Sequence, residues 1–521
     1  MQIAYNKNHG VIVVPETQQL RNLFPSAPSV EHGGANNIIL PHTAAPTAML
    51  KNLGYDVDAP ILRLYDWPGP KNQPPFLAQK RTAALMSTNE RAYVLNDMGT
   101  GKTRSLLWAW DFLYENAECN KLLVVAPLST LSFVWAREVF NVLPHRTCSV
   151  LHGSKQKRQE RLAEDADIYI INHDGVKVMQ DDLLKRTDID VIGIDELAVF
   201  RNGKSGRTKI MRAISNAKHV RFRWGMTGSP MPTAPTDVWG EASIITPSNV
   251  PKYFTRFRDD LMNRVTQFKF VPKHDAVQRA YAVLQPAVRY TMDDVKELPA
   301  CVERTVEVPM GKKQKKVYKD MAAACYAAVE SQEITAANAG AAMSKLLQVS
   351  TGWVYTAEKD VISLDNGDRI QTLLDEVTST YKKCLVFVPF KHALSGISAA
   401  MTKAKIDHVV VSGDTPAKKR NEIFTAFQNT KKYHAIVAHP QCLAHGITLT
   451  EADTVIWFAP ITSLEIYEQA NRRIRRVGQK HKQLFLHIQG SAVEKRIYSL
   501  LRQHQQVQNE FLHLFEEATN E

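Results

Sequence analysis

The sequence predicts an α/β protein with two domains in tandem, each built on a parallel β-sheet. Its 521 residues allow about three domains at roughly 150 residues per domain. Short apolar segments rich in β-branched residues alternate with helical patterns over 75–240, and the alternation returns over 384–489. Continuous apolar strands separated by helices are typical of a parallel sheet that is covered on both faces.

This pattern also predicts where the strands lie. Those of the first domain are expected at 92–95, 122–127, 149–153, 167–172, 191–195 and 222–228. Those of the second domain are expected at 384–389, 408–413, 434–439, 454–459 and 484–489.

The remaining segments differ in character from the two sheets. Residues 3–14 alternate in polarity and predict a hairpin that turns at His9 and Gly10, whereas 241–344 is richer in helical spacing. The expected organisation is a small accessory domain at 1–65, a first parallel-sheet domain at 66–240, a helical inter-domain insertion at 241–344, a second parallel-sheet domain at 345–500 and a C-terminal helix at 501–521.

Composition and charge narrow the class of protein. Lys and Arg number 65 against 53 Asp and Glu, and the net charge of +12 favours a polyanionic partner. With 44% hydrophobic and 23% charged residues, the chain as a whole is neither disordered nor collagen-like nor a coiled coil. The six cysteines are far apart and predict no disulfide framework or zinc cluster. There is no run of about 18 apolar residues, so we expect a soluble, intracellular protein without a membrane partner.

A glycine-containing loop joins an apolar strand to a helical segment in VLNDMGTGKT (94–103). Such glycines let backbone N–H groups turn toward a phosphate, while Lys102 can reach β- and γ-phosphate oxygens and the Thr103 hydroxyl can ligate Mg²⁺. The strict phosphate-loop pattern has a glycine where this chain has Asn96. The alternative is a glycine turn before a helix with a solvated lysine. The predicted nucleotide-binding residues of the loop are Gly99, Thr100, Gly101, Lys102 and Thr103.

A pair of carboxylates, Asp195 and Glu196, ends the apolar strand in VIGIDELAVF (191–200). Ligands of α/β sheets bind at the carboxyl ends of the strands. We therefore expect Asp195 to hold Mg²⁺ and Glu196 to orient and deprotonate the attacking water. The alternative is a strand end capped by solvated acids.

Taken together, these motifs resemble the Swi/Snf-like branch of helicase superfamily two, in a compact form similar to its prokaryotic or phage members. Four segments carry the resemblance, which covers most of residues 75–500. NDMGTGKT is similar to D-E-M-G-L-G-K-T, VVAPLSTLSFVW (124–135) to a strand followed by P-L-S-x-L-x-x-W, MTGSPMPTAPTDVWG (226–240) to the T-G-T-P segment, and YEQANRRIRRVGQ (467–479) to Q-A-x-x-R-x-x-R-x-G-Q. The resemblance implies an ATP-driven DNA motor with two RecA-like domains.

The resemblance also implies roles for individual residues. Gln79, in PPFLAQKRTAALM (74–86), stands in the position of the glutamine that reads adenine, with a surface glutamine as the alternative. The implied coupling residues between nucleotide and DNA are Thr227, Gly228, Ser229, Gln469 and Gln479. Gly446 and Thr450 resemble a DNA-contact element, although Ala444 and His445 replace the small pair expected before that glycine.

Arginine and helix-start residues complete the candidate site. An ATP held on one domain is hydrolysed fast only if a cation from outside that domain neutralises the charge that develops on the γ-phosphate. We assign this arginine finger to Arg476, and Arg473 is expected to contact the γ-phosphate or to support Arg476. Arg472 and Arg475 are interpreted as a solvated or phosphate-contact face. Ser412 and Gly413 precede a helix start and, with Ser129 in the first domain, are expected to donate to DNA phosphates.

One departure from the family pattern concerns the coupling between nucleotide and DNA, because Ala198 stands where the family pattern D-E-x-H has its histidine.

We expect a DNA-dependent ATPase that uses ATP and Mg²⁺ and translocates on double-stranded DNA without sequence preference. A monomer is favoured, nucleoid-associated in the cytoplasm, or in the host cytoplasm if phage-encoded. The alternatives are a strand-separating or branch-migrating helicase and, from another class, a nucleic-acid-binding module with a degraded ATPase.

Overall fold

The computed structural model describes residues 3–32, 34–71, 73–231, 234–266, 270–295, 299–330, 336–355, 361–443, 448–476 and 478–503. It contains two compact units, formed by residues 1–295 and 296–521. Within the described ranges, no helix is both long enough and apolar enough to cross a membrane.

The first unit begins with a small antiparallel sheet of strand order β1-β2-β4-β3. The predicted hairpin is present, because β1 pairs antiparallel with β2 across a turn in which Gly10 has a φ of 60°. Ile12, Val14, Ile38 and Leu40 point into its own small core. The elements are β1 (Ala4–Asn6), β2 (Val11–Pro15), α1 (Gln18–Leu23), β3 (Ser29–His32), β4 (Ala35–Pro41), α2 (Ala44–Asn52) and α3 (Pro60–Leu64).

A seven-stranded parallel sheet forms the centre of the first unit, in the order β13-β5-β10-β9-β6-β8-β7. Its strands are β5 (Arg91–Val94), β6 (Lys121–Ala126), β7 (Cys148–Leu151), β8 (Ile168–Asn172), β9 (Ile189–Asp195), β10 (Phe222–Met226) and β13 (Ala287–Val288). The hairpin β11 (Met262–Arg264) and β12 (Phe270–Pro272) lies outside this sheet. The helices are α4 (Leu77–Thr88), α5 (Lys102–Glu115), α6 (Arg137–Val142), α7 (Lys155–Ala163), α8 (Gly175–Val178), α9 (Gln180–Lys185), α10 (Gly206–Ser215), α11 (Val238–Ile245), α12 (Phe254–Leu261), α13 (Ala276–Val283) and α14 (Met292–Val295).

The strands of this sheet are buried on both faces, as the continuous apolar segments predicted. In β6, Leu122 and Val124 belong to one hydrophobic core, whereas Leu123 and Val125 belong to another. Successive side chains of a strand point to opposite faces, so the helices must cover the sheet on both sides. The predicted α/β class is confirmed.

The second unit contains a six-stranded parallel sheet in the order β14-β21-β20-β17-β19-β18. Its strands are β14 (Cys301–Glu307), β17 (Lys383–Phe387), β18 (His408–Val411), β19 (Ala435–Ala438), β20 (Ala452–Trp457) and β21 (Gln483–Gln489), beside the small pair β15 (Trp353–Tyr355) and β16 (Val361–Ser363). The helices are α15 (Lys312–Glu330), α16 (Ala336–Ser350), α17 (Gly367–Ser379), α18 (Lys391–Lys403), α19 (Ala417–Asn429), α20 (Pro440–Leu443), α21 (Leu464–Asn471) and α22 (Ala492–Arg502).

The segment 241–344, expected to be a helical insertion, is divided between the two units. Its first part packs into the first unit, where β13 pairs with β5. Its second part supplies β14 to the second sheet, and Tyr318 and Met343 belong to the second core. At the other end, α22 reaches Arg502, and most of the C-terminal helix expected at 501–521 lies outside the described residues.

A buried ion pair joins several elements of the second unit. Arg369, 4% exposed at its side chain, binds the fully buried Glu494, with Nη2 2.7 Å from Oε1. The guanidinium also donates to the carbonyl oxygens of Ser350 at the end of α16, Phe458 directly after β20 and Ile488 within β21. One cation therefore satisfies backbone groups from three elements together with a buried carboxylate.

We expect Arg369→Met to destabilise the second unit by about 3–5 kcal/mol, because it leaves the Glu494 carboxylate buried without a cation. Lys495 lies on the same helix as Glu494 and forms an exposed ion pair with Glu307 of β14, so Lys495→Met should cost no more than about 1 kcal/mol. Chemical denaturation followed by circular dichroism compares the two. Equal losses would contradict the central role of Arg369.

Candidate active site

The predicted phosphate loop connects the end of β5 to the start of α5. Gly99 and Gly101 have φ angles of 88° and 84°, a left-handed backbone that glycine adopts without strain. Gly101 is also the N-cap of α5, a helix of 14 residues whose first N–H groups have no partner within the helix. The loop therefore presents backbone donors at a helix N-terminus, the arrangement that binds phosphate.

Lys102 folds over the beginning of this loop. Its Nζ lies 2.7 Å from the Asn96 carbonyl oxygen and 3.2 Å from that of Asp97. The Thr100 hydroxyl donates to the same Asp97 carbonyl at 2.8 Å. These bonds hold the ammonium group over the loop, and Thr103 follows it in the first turn of α5.

Asn96, which replaces the first glycine of the strict pattern, binds two other segments of the first unit. Its Nδ2 donates to the Thr82 hydroxyl of α4 at 2.9 Å, and its Oδ1 accepts from the Tyr290 N–H at 2.9 Å. The side chain is 2% exposed. The departure from the pattern therefore serves a local structural purpose, because a glycine here would leave these groups without the bonds.

Gln79 lies directly against the phosphate loop. Its side chain is 4% exposed, and its Oε1 accepts from the Phe76 N–H at 3.0 Å. A Cβ placed on Gly101 would lie 1.8 Å from Gln79 Nε2. The predicted adenine-reading glutamine and the loop are thus in contact, and the glycine is required for that contact.

The acidic pair lies at the same edge of the sheet as the phosphate loop. Met226 of β10 pairs with Val94 on one side and with Asp195 on the other. Since neighbouring strands are about 4.8 Å apart, the ends of β5 and β9 lie about 10 Å from each other. Glu196 follows in a left-handed conformation, with φ 54° and ψ 55°, a strained conformation of the kind that concentrates at functional sites.

Two side chains that the sequence did not single out hold Asp195. Trp135 Nε1 donates to Asp195 Oδ2 at 3.1 Å, and His173 Nε2 lies 2.8 Å from the Asp195 carbonyl oxygen. Burial lowers the pKa of His173 to about 4, so the imidazole is neutral at pH 7 and its Nε2–H is the donor to the carbonyl. His173 also packs edge-on against Phe200 in the turn after the acids.

The predicted coupling segment of the first unit lies between the loop strand and the acid strand. The Thr227 N–H donates to the Val94 carbonyl at 3.0 Å, and the Thr227 hydroxyl accepts from the Ser229 N–H at 3.2 Å. Gly228 lies between them. Ala198 is buried, and its methyl group has no polar atom with which to form the side-chain link that a histidine would offer.

The arginine-rich motif of the second unit is held by bonds within that unit. Arg473 is 1% exposed, and its Nε donates to the Gln469 carbonyl at 2.8 Å. Arg476 is half-buried, and its Nη1 donates to the Thr448 hydroxyl at 3.1 Å. Burial and the nearby Arg472 lower the pKa of Arg476 to about 10, which leaves it cationic at pH 7.

The two glutamines of this motif are buried and bonded locally. Gln479 Nε2 donates to the Ala452 carbonyl at 2.9 Å, and its Oε1 accepts from the His481 N–H at 3.0 Å. Gln469 Nε2 donates to Glu465 Oε1 at 3.1 Å. Gln479 therefore orders the turn that carries the arginines, whereas the Gln469 side chain bonds within α21.

The predicted DNA-contact residues differ in accessibility. Ser129 and Gly413 are exposed, and Ser412 is half-buried before α19. The Thr450 hydroxyl accepts from Gln428 Nε2 at 3.1 Å. Gly446 lies outside the described residues, as do Ala444 and His445.

The residues of the first unit fit a magnesium nucleotide. The left-handed Gly101 leaves room where a Cβ would collide with Gln79, and the donors at the start of α5 suit phosphate oxygens. Asp195 and Thr103 offer the carboxylate and hydroxyl oxygens that Mg²⁺ prefers. Sequence reasoning found these residues from their spacing, but Trp135, His173 and Thr448 carry no spacing signal toward the site, although Trp135 stands in a quoted motif.

A phosphate loop and an acidic pair on one parallel-sheet unit, together with an arginine-rich motif on a second parallel-sheet unit, define a helicase-like ATPase core. Residues 78–359 match the SNF2-related domain, and residues 368–478 match the helicase conserved C-terminal domain. The first match covers more than half of the chain. The chain therefore belongs to the SNF2-related family, and the resemblance read from its sequence is confirmed.

Individual relatives are similar over most of this chain. An uncharacterized ATP-dependent helicase of Mycoplasma genitalium is 24% identical over 81% of this chain, which spans only 40% of that relative. Protein p41 of Acyrthosiphon pisum secondary endosymbiont phage 1 is 26% identical over 74% of this chain and 85% of its own length. A solved SWI2/SNF2 ATPase core of Sulfolobus solfataricus in complex with dsDNA covers 87% of this chain and 97% of its own, at 20% identity and a TM-score of 0.40.

We expect Gly101→Ala to weaken nucleotide binding about tenfold or more, because the left-handed backbone costs other residues about 1–3 kcal/mol and the new Cβ would collide with Gln79. Titration with a fluorescent ATP analogue measures the affinity. Gly206→Ala is the matched control, since its Cβ would meet no atom within 4 Å. Equal affinities for the two variants would show that the loop does not hold the nucleotide.

Proposed function

We propose that this protein is a DNA-dependent ATPase that translocates on double-stranded DNA. The observation that carries the proposal is the convergence of phosphate loop, acidic pair and Thr227 on one edge of the first sheet, fixed by the pairing of Met226 with both neighbouring strands. Membership of the SNF2-related family supports ATP as the nucleotide.

The residues of the first unit have distinct tasks in hydrolysis. The loop N–H groups and Lys102 bind the β- and γ-phosphates, and Gln79 contacts the base. Thr103 and Asp195 would hold Mg²⁺, which offsets phosphate charge when bound. Glu196 orients the attacking water and accepts its proton. Its left-handed backbone, which follows the Asp195 carbonyl bonded by His173, sets the direction in which its side chain leaves the main chain.

Arginines of the second unit supply the remaining positive charge. Arg476 is the finger, a contribution worth about 10³–10⁵ in rate in other nucleotide hydrolases. Its bond to the Thr448 hydroxyl ties it to the segment that contains Thr450, a proposed DNA contact. Arg473, almost fully buried, supports the same turn. DNA contact and finger position are thereby linked within one unit.

DNA is bound through its phosphates in this proposal. Ser129, Ser412, Gly413 and Thr450, together with Gly446, donate to the backbone and carry little sequence information. The net charge of +12 strengthens this contact. A protein that reads phosphates is able to move along any duplex, and it acts as a monomer wherever that DNA lies, in a nucleoid or in a phage-infected host.

Displacement of a third DNA strand separates translocation from strand separation. We expect ATP hydrolysis to displace a third strand annealed in the major groove of a linear duplex, because phosphate tracking advances the protein without parting the duplex. A plain duplex with a single-stranded tail should be unwound poorly. Gel electrophoresis of labelled strands reports both reactions.

Two variants complete this experiment. Glu196→Gln should bind ATP and DNA and displace no strand, and Lys102→Ala should lose hydrolysis while it retains DNA binding. Efficient unwinding without triplex displacement would support a strand-separating helicase instead. Activity only on forks or four-way junctions would support branch migration, and DNA binding without any hydrolysis would support a binding module with a degraded ATPase.

A further inference from the structure

The helix that follows β6 begins with a π-helical turn. Residues 131–136 form this turn, between the 3-10 turn at 128–130 and α6. The pattern P-L-S-x-L-x-x-W has two residues between Leu and Trp, whereas this chain has three, Ser132, Phe133 and Val134, between Leu131 and Trp135. A π turn accommodates one extra residue, and such turns are frequent at functional sites. Despite the extra residue, the π turn brings Trp135 to the interior of the unit, and the indole there is fully buried.

The buried indole reaches the proposed metal-binding carboxylate. Trp135 Nε1 is 3.1 Å from Asp195 Oδ2, and an indole N–H can only donate. A hydrogen bond to an ionised carboxylate is about twice as strong as one between neutral groups. The bond therefore restricts the orientation of the carboxylate and the directions left for a metal ion.

The backbone of Asp195 is fixed independently of its side chain. His173, from the end of β8, bonds the Asp195 carbonyl, and Asp195 itself pairs with Met226 in the sheet. A movement of Trp135 therefore acts on the carboxylate rather than on the strand. The Glu196 N–H donates to Asp195 Oδ1 at 3.1 Å, so the backbone holds one oxygen of the carboxylate and the Trp135 indole holds the other.

The other end of the Trp135 segment lies at the surface. Ser129 is exposed, and Leu128 and Phe133 are 56% and 53% exposed. Six positions separate the exposed Ser129 from the buried Trp135. The 3-10 turn and the π turn follow each other without a break, so continuous helical backbone connects the exposed Ser129 with the buried indole.

We propose that Trp135 is a positioning residue that orients the Asp195 carboxylate for Mg²⁺ and couples it to DNA contact at Ser129. The proposal rests on the proposed function, since it takes the DNA phosphate as the ligand of the outer turn. DNA contact shifts residues 127–136, and the indole N–H then turns the carboxylate into its metal-binding orientation.

The test compares Trp135→Phe with Trp110→Phe. Both indoles are fully buried and donate one hydrogen bond, but that of Trp110 goes to the Asn120 carbonyl, away from the acidic pair. The readout is binding of a fluorescent ADP analogue titrated with Mg²⁺, which requires no turnover. We expect Trp135→Phe to raise the Mg²⁺ concentration for half-saturation about 10- to 100-fold, the cost typical of removing an outer-shell partner of a metal ligand. Trp110→Phe should behave as wild type.

The same titration with blunt duplex DNA tests the coupling. DNA should lower the half-saturating Mg²⁺ concentration of wild type and of Trp110→Phe, and leave that of Trp135→Phe unchanged. If Trp135→Phe does not fold, as judged by circular dichroism, Trp135→Leu, which also has no side-chain hydrogen-bond donor, takes its place. Equal Mg²⁺ dependence in the tryptophan variants overturns the positioning role, and a DNA effect that persists without the indole overturns the coupling.

Failure of the proposed function gives a different result. If the wild type binds nucleotide with Mg²⁺ but hydrolyses no ATP on any DNA, the DNA-dependent ATPase is wrong. A weakened Mg²⁺ response of Trp135→Phe would still establish the link between the indole and Asp195 in that case.

Discussion

The register of three parallel strands is the constraint on which the rest of the site depends. Because Met226 pairs with Val94 on one side and Asp195 on the other, the phosphate loop, the acidic pair and Thr227 must leave the sheet at one edge. Gly99, Gly101 and Glu196 adopt left-handed backbone where the chain turns at this edge of the sheet. Buried bonds from Asn96, Trp135 and His173 then fix what the register brings together.

In the second unit, buried and hydrogen-bonded neighbours likewise hold one functional side chain, that of Arg476. Its sheet presents the turn after α21, in which Arg473 and Gln479 are buried and bonded to neighbouring backbone, so that Arg476 is held at Thr448. Desolvation lowers the pKa of Arg476 without removing its charge at neutral pH. An anionic ligand offsets the desolvation cost of a partly buried cation. This environment suits Arg476, which is proposed to act on a phosphate.

Most of the fold and the main candidate residues were predictable from the sequence, for physical reasons. Buried parallel strands need continuous apolar residues, and phosphate loops need glycine at left-handed positions, so both leave marks in the sequence. Strand β14 left no such mark, because its residues, among them Glu303 and Arg304, lie at an exposed sheet edge and are charged. The bonds of Trp135 and His173 depend on a π turn and on side-chain directions, which residue spacing does not encode.

The proposed function requires that DNA contact control ATP turnover at the first sheet. Steady-state ATP hydrolysis, measured with and without blunt linear duplex of mixed sequence, tests it most directly. We expect the rate to rise on addition of duplex and the stimulation to disappear as salt is raised, because phosphate contacts release counterions on binding. A rate that is the same with and without DNA, at any salt concentration, would contradict this account.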